Sequence, residues 1–432
     1  MVIWLVRLPH NAVHLNHTCK MGKINAMLQT QDPVELGFDT NRLSRIDDMM
    51  KHYIVQGKSA GMVCLVSRFG KPVYFSNFGY QNIQNQVSIM NDTIFRIYSM
   101  TKPITSVALM MLLEKNNISL DSPAHKWIPA LKNLQVSNDK RTYEALKTPI
   151  TIRHLLTHTA GFTYGQNKTD SSKNNHYSRL LSPTGEKRTL EQFVEQQLDM
   201  PLIAQPGELW RYSIATDICG YLVQLISSLS FEEYLHKNIF TPLKMVDTDF
   251  TVPQHKINRF ATLYGATDDN PFSIVETSDK SPYIAESNVY PVVEQSGGGG
   301  LVSTAEDYWR FASMMLNRGE LFGERLLSKK SIDLITTNQL PDDLLPISYN
   351  GIVSKTSMSY GFGLGYCINI EPRTAETLGS LGDYGWGGIA DTYCWIDPDK
   401  QLIAILMQQF LPSLTHQSRL DFRNTVYQSL KD

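Results

Sequence analysis

The chain has little to hold a polyanion, no cysteine spacing that binds a metal, and no run that crosses a bilayer. Lys and Arg together number 40 against 42 Asp and Glu, a net charge of -2. With no basic excess to neutralise a phosphate backbone, nucleic-acid binding is not expected. The five cysteines, Cys19, Cys64, Cys219, Cys367 and Cys394, are widely separated and mostly set in apolar runs. They read as buried free thiols in a reducing compartment, and neither a metal nor a cofactor is expected. No segment approaches the ~20 apolar residues of a membrane-spanning helix. At the N-terminus, Met1 to Val6 is apolar but is stopped by Arg7. That is too short for a signal-peptide core, with no basic stretch before it and no cleavage site after it. A cytoplasmic location is the expectation, with the periplasm left open. Residues 1–35 read as a poorly specified tail in which Met21 or Met27 could be the natural start.

What is present is an ordinary globular composition, 42% hydrophobic and 19% charged over 432 residues, long enough for a large domain and a second one. Apolar spacing predicts an amphipathic helix over 41–56, then strands over 61–67 and 72–78 joined by a turn at Arg68–Lys71. A helix over 101–115 follows. Residues 116–290 carry helical segments at 152–158, 190–198, 216–228 and 231–240, separated by polar loops, the one over 167–187 rich in Ser, Asn and Lys. After Gly297–Gly300 come a helix over 304–317, strands at 393–396 and 402–407, and a closing helix over 420–430. The expectation is an α+β fold: an antiparallel sheet covered by its first and last helices (36–115 with 291–432), interrupted by a mainly helical domain (116–290).

Two Ser-x-x-Lys triplets occur. Ser137–Lys140 lies in a polar stretch with no apolar helix behind it and reads as a loop. Ser99-Met100-Thr101-Lys102 is followed by Pro103, a good first-turn residue, and then by Ile104, Val107, Ala108, Met111 and Leu112 at helical spacing. Ser99 thus stands where a buried helix begins, and Lys102 lies one turn on along the same face. Serine is a weak nucleophile that needs a base within hydrogen-bond reach. A lysine serves if burial leaves part of it neutral. The bland alternative is an N-cap serine beside a surface lysine.

Two further features follow in order. Pro206-Gly207-Glu208-Leu209-Trp210-Arg211-Tyr212-Ser213 is a turn running into a helix, with Tyr212 placed to share a proton with Ser99 or Lys102, or simply to pack. Gly385-Trp386-Gly387-Gly388-Ile389 puts three glycines at a strand start. There a ligand can approach the backbone closely enough for an oxyanion-binding N–H; the alternative is a strand bulge.

Taken with His154-Leu155-Leu156-Thr157-His158-Thr159-Ala160-Gly161, these motifs resemble the β-lactamase-related esterases, the family-eight carboxylesterases similar to class C β-lactamases. The resemblance runs from about residue 36 to the end. It implies the β-lactamase/penicillin-binding-protein-like fold, with a cleft between sheet and helical domain. It also implies that Ser99 forms an acyl-enzyme, that Lys102 and Tyr212 manage its proton, and that the N–H groups of Ser99 and Ile389 bind the oxyanion. Two departures stand out. Ile214 occupies the Asn position of the usual Tyr-x-Asn. Trp386-Gly387-Gly388 replaces a Lys-Thr-Gly or His-bearing triplet whose cation holds a lactam carboxylate, and Trp386 carries no full charge. The expected activity is therefore hydrolysis of small neutral esters. The alternatives are a β-lactamase or D-amino-acid peptidase, acyl transfer from the same intermediate, and a catalytically silent binding protein of the same fold. The expected partner is a small ester or lactam.

Three other motifs compete. Gly57-Lys58-Ser59-Ala60-Gly61 matches the nucleophile elbow, but that motif needs a strand before it and a helix after it, and here the order is reversed. His154 and His158 are four apart yet lack the His-Glu-x-x-His glutamate, so they read as capping and packing a helix end. Gly297–Gly300 lacks the Gly-Lys-Ser/Thr of a phosphate loop and reads as backbone freedom near the cleft.

Overall fold

The computed structural model describes residues 28–137, 142–164, 188–267, 270–276, 288–289, 292–348, 356–374 and 377–431. A helical turn (Thr40–Leu43) and α1 (Arg45–Val55) lead into β1 (Gly61–Arg68) and β2 (Lys71–Asn82), with β3 (Val87–Ser88) at the sheet edge. The turn between β1 and β2 puts Phe69 and Gly70 at φ 53° and 72°, left-handed values that glycine accepts freely. The chain returns to the sheet with β4 (Tyr360–Phe362), β5 (Cys367–Asn369), β6 (Tyr384–Gly387), β7 (Tyr393–Asp397) and β8 (Leu402–Met407). The sheet order is β4-β5-β6-β7-β8-β1-β2-β3, every pair antiparallel. The long-range seam joins β1 to β8, pairing Val63 with Met407 and Arg68 with Leu402.

Both faces of this sheet are covered, which is why β1 and β8 are apolar without alternation. Met62, Cys64 and Val66 of β1 join Leu402, Ala404 and Leu406 of β8 in a cluster with Ile46 and Met50 of α1 and Phe422 and Val426 of the last helix, α9 (Ser418–Ser429). The alternate residues Val63, Leu65, Ile403, Ile405 and Met407 face the main core. There they meet α2 (Thr101–Lys115) and α7 (Ala305–Leu316). The expected antiparallel sheet, covered by its first and last helices, is the architecture found.

Between β3 and β4 lie α2, α3 (Ile152–Leu156), α4 (Leu190–Leu198), α5 (Ala215–Ser227), α6 (Phe231–Leu235), α7 and α8 (Lys329–Ile335). Helix α2 is buried along nearly its whole length and packs against α5. Thr151, Thr189 and Ser230 cap α3, α4 and α6 with reciprocal capping boxes, which is why these starts were readable. The helix expected over 231–240 is instead α6 followed by a π-helical turn, His236–Phe240. The helix expected over 152–158 stops at Leu156, because His158 has turned to φ 57°. The strand pairs Gln135–Ser137 with Tyr143–Ala145 and Tyr264–Thr267 with Asn270–Glu276 lie in a stretch read as helix and loop. The expected loop 167–187, Cys19 and the proposed starts Met21 and Met27 lie outside the described residues. The other four cysteines are free thiols, three of them buried. Among the described residues no helix is long and apolar enough to cross a membrane.

Candidate active site

The chain reaches Ser99 through Phe95–Arg96, a two-residue strand paired with Val302–Ser303. Tyr98, immediately before the serine, has φ 43°. That left-handed value is costly for a tyrosine and persists only where the surroundings hold it. Residues Tyr98–Met100 form a 3-10 turn that runs directly into α2. Ser99 is therefore partly open to solvent at the mouth of a buried helix, while Lys102, one turn on, is only 1% exposed.

Lys102 Nζ donates to the Gly298 carbonyl at 2.6 Å and stands 3.4 Å from Ser99 Oγ. The Tyr212 hydroxyl donates to the same oxygen at 2.7 Å, and the Lys102 ammonium lies 4.5 Å from the centre of the Tyr212 ring. The three residues singled out in the sequence are thus in direct contact. Tyr212 reaches this place because Gly207, at φ 87°, turns the chain, and Gly207 N and Arg211 N donate to the Thr159 and His158 carbonyls at 2.8 and 2.9 Å. Ile214, where an asparagine was the expected pattern, is buried in the main core.

Several residues to which the sequence gave no part in the chemistry surround this trio. Asp217, in the first turn of α5, accepts from Ser296 Oγ at 2.6 Å and from Gly298 N at 2.9 Å. Burial pushes its carboxyl up and the Lys102 charge opposes that. Asp217 so holds the residue whose carbonyl holds Lys102. His158 lies deep in the wall, its ring centre 5.1 Å from that of Tyr212 and 5.4 Å from that of Phe362. Its Nδ1 is 3.2 Å from Ser213 Oγ. Burial, then the Lys102 charge, push its pKa well down, so it is a neutral packing and hydrogen-bonding group. Tyr164 stacks at a tilt on Tyr212 with centroids 5.3 Å apart. The positive φ of His158 and the contacts of Asp217 are tertiary features with no spacing signal. His154, the other histidine of that motif, caps α3 through Nδ1 as expected.

The glycine strand forms the opposite wall. Trp386, 7% exposed, packs against Tyr212 with centroids 5.4 Å apart and clusters with Trp210 and Phe362. A Cβ on Gly388 would meet the Ile97 carbonyl at 2.5 Å, so only glycine lets this strand close on the Ser99 turn. The Ile389 side chain packs with Tyr98, Leu263, Ala390 and Leu411. Its N–H makes no turn or loop bond to a described residue. Gly387 fits against Arg419, whose Nη1 a Cβ there would meet at 2.5 Å.

The competing motifs fall elsewhere. Ser59 lies between α1 and β1, buried, with Oγ 3.3 Å from the Gly61 carbonyl. Gly297–Gly300 lines the site through the Gly298 contacts. One grouping with three metal-type donors occurs among the described residues, Glu232, His236 and Asp249, with donor atoms within 4.8 Å of one another. It contains no residue of the site, and His236 Nε2 and Asp249 Oδ2 are ion-paired at 3.1 Å.

The chain is similar to known proteins over most of its length. A family model described as Beta-lactamase matches residues 46–425. Protein Rv1367c of Mycobacterium tuberculosis is 32% identical over 367 residues, covering 83% of this chain and 88% of its own. Esterase EstB of Burkholderia gladioli is 25% identical over 391 residues, 87% of this chain and 93% of its own. Among solved structures, EstCE1, described as a hydrolase with promiscuous acyltransferase activity, superposes with a TM-score of 0.75 at 22% identity, covering 90% of this chain and 99% of its own.

Proposed function

The chain belongs to the Beta-lactamase family, and within its serine hydrolases we propose that it is a carboxylesterase cleaving small neutral esters through an acyl-enzyme on Ser99. The observation that carries this is the convergence of the Tyr212 hydroxyl and the Lys102 ammonium on Ser99 Oγ, at 2.7 and 3.4 Å. Both partners a weak nucleophile needs are in hydrogen-bond reach or close to it.

In this reading Ser99 Oγ attacks the ester carbonyl carbon and its proton passes into the Tyr212–Lys102 pair. The carbonyl oxygen becomes an oxyanion facing the N–H groups of Ser99 and Ile389, and the start of α2 adds its dipole. Collapse breaks the bond to the alcohol, which leaves with the proton. Water then repeats the sequence on the acyl-serine and releases the acid. An alcohol in place of water gives acyl transfer.

The substrate class follows from the wall. Where penicillin-directed relatives present a cation, this chain presents Trp386, backed by Trp210, Phe362 and Tyr212. An aromatic face accommodates an uncharged acyl group and offers a carboxylate no ion pair. EstB, named an esterase, is a relative across most of the chain. The test is Ser99→Ala with 4-nitrophenyl butyrate as probe. Turnover should fall by roughly a thousandfold or more in a folded protein, as on losing the nucleophile of a covalent mechanism, and a fluorophosphonate should label wild type at Ser99 alone. Undiminished turnover would end this reading. Preference for a chromogenic cephalosporin over the butyrate would move the protein to the lactamases.

A further inference from the structure

The turn that carries Ile389 is braced by an ion pair between buried Asp391 and part-buried Arg419. Gly388 N donates to Thr392 O at 2.8 Å and Asp391 N to Gly388 O at 3.1 Å, closing the turn. Asp391 adopts φ 67° there and its side chain is 1% exposed. Its Oδ1 accepts from Leu414 N at 3.2 Å and stands 2.9 Å from Nε of Arg419. Arg419 is in the first turn of α9. Its Nη2 donates to the Gly388 carbonyl, and its guanidinium lies against Gly387, where any side chain would displace it.

The Gly388 carbonyl and the Ile389 N–H belong to one peptide unit. A trans peptide is planar and points its C=O and N–H in opposite directions. A guanidinium that grips the carbonyl therefore sets where the N–H points. A charge-assisted bond at the oxygen also polarises the unit and makes the N–H a better donor. We propose that Arg419, fixed by Asp391, is a positioning residue that aims and strengthens the Ile389 N–H as an oxyanion donor. This rests on the acyl-serine reading above. Through it the last helix of the chain, which packs on the far side of the sheet from α2, reaches the chemistry.

The test compares Arg419→Gln, Arg419→Lys and Asp391→Asn with wild type, using 4-nitrophenyl butyrate and a phenylboronic acid that forms a tetrahedral adduct on serine. Asparagine tolerates the left-handed conformation at 391, so that variant keeps the turn. The expected result for Arg419→Gln is a kcat lower by about tenfold or more, part of what losing a whole oxyanion donor costs, with KM within about twofold. Boronate affinity should fall by the same factor as kcat/KM, and lysine should restore part of both. A role in folding alone would lower Tm without this kcat-against-KM split. Folded Arg419→Gln with kcat and boronate affinity unchanged would overturn the proposal. Should the variants not fold, a crystal structure of wild type with the boronate decides: a boronate oxygen about 3 Å from Ile389 N supports it, and one bound away from that N–H overturns it. Wild type that hydrolyses no ester and is not labelled at Ser99 would overturn the acyl-serine reading as well, a result distinct from unaffected variants of a labelled, active enzyme.

Discussion

A lysine that takes up a proton and a lysine that only supplies charge occupy the same place in a static structure. At position 102 an arginine separates them, because arginine keeps the charge but does not release a proton at any working pH. If Lys102 moves the Ser99 proton, Lys102→Arg should be nearly as damaging as Lys102→Ala. Activity on the butyrate ester, measured beside the folded fraction of each variant, tests this; an arginine variant with substantial turnover would leave the proton to Tyr212. Position 102 was legible because spacing by three along a helix is a local rule. Position 158 was not. The sequence offers His158 as the end of a helix, and only the fold shows its ring against Tyr212, 5.1 Å between centroids. Asp217 was equally hidden, since a single acidic residue in the first turn of a helix is the ordinary answer to the helix dipole.

Elements carry the site by meeting at glycines. The turn Gly297–Gly300 packs on the start of α5, and a Cβ on Gly298 would come 2.5 Å from Asp217 Oδ2. The same residue gives its carbonyl to Lys102. Gly298→Ala should therefore push the turn off α5 and withdraw the carbonyl from the ammonium. The expected outcome is a kcat loss on the order of tenfold with modest loss of stability, since misplacement of about 1 Å alone can cost far more in rate. The pair Gly298→Ala with Asp217→Ser is the control, because the shorter side chain makes room: partial recovery of kcat in the double variant identifies the clash as the cause. The four glycines were read as backbone freedom near a cleft, but none takes a left-handed φ; at Gly297, Gly298 and Gly300 it is the room a Cβ would need that is missing. What they face could not be read, because the contact joins residues 217 and 298, which lie far apart in sequence. The helix starts were legible for the opposite reason: Thr151, Thr189 and Ser230 announce α3, α4 and α6 within four residues.

Across the whole molecule the sheet is assembled from both ends of the chain, β1 to β3 before the helical stretch and β4 to β8 after it. Apolar patterning marks β1 and β8 as strands but is silent on their being neighbours, since pairing is chosen by packing on both faces. The order of the elements suggested a covered antiparallel sheet, and the family resemblance implied the same fold, but neither gave the strand order. Stability of that assembly carries a pH signature at Asp307 in the first turn of α7. Its Oδ2 accepts Asp247 N at 2.7 Å and Thr248 Oγ1 at 3.0 Å, tying residues 247–248 to the helix. Burial, with the neighbouring Asp247 charge adding to it, raises its pKa from 3.8 to about 6, against the opposing hydrogen bond from Asp247 N. Between these values the folded protein holds a proton that the unfolded chain has released. The stability this group contributes is therefore full below pH 3.8 and is lost as pH rises through about 6. Asparagine stands in for the protonated form and keeps an oxygen for both donors. Asp307→Asn should thus be close to wild type in unfolding free energy at pH 4. It should gain on wild type by up to about 3 kcal/mol at pH 8, at 1.36 kcal/mol per pKa unit. Denaturant unfolding of both proteins at the two pH values measures the difference directly, with every other titrating group cancelling between them. A gap that does not widen from pH 4 to pH 8 would mean that Arg310, whose Nη1 is 3.7 Å from Asp307 Oδ1, keeps the carboxylate charged at no cost.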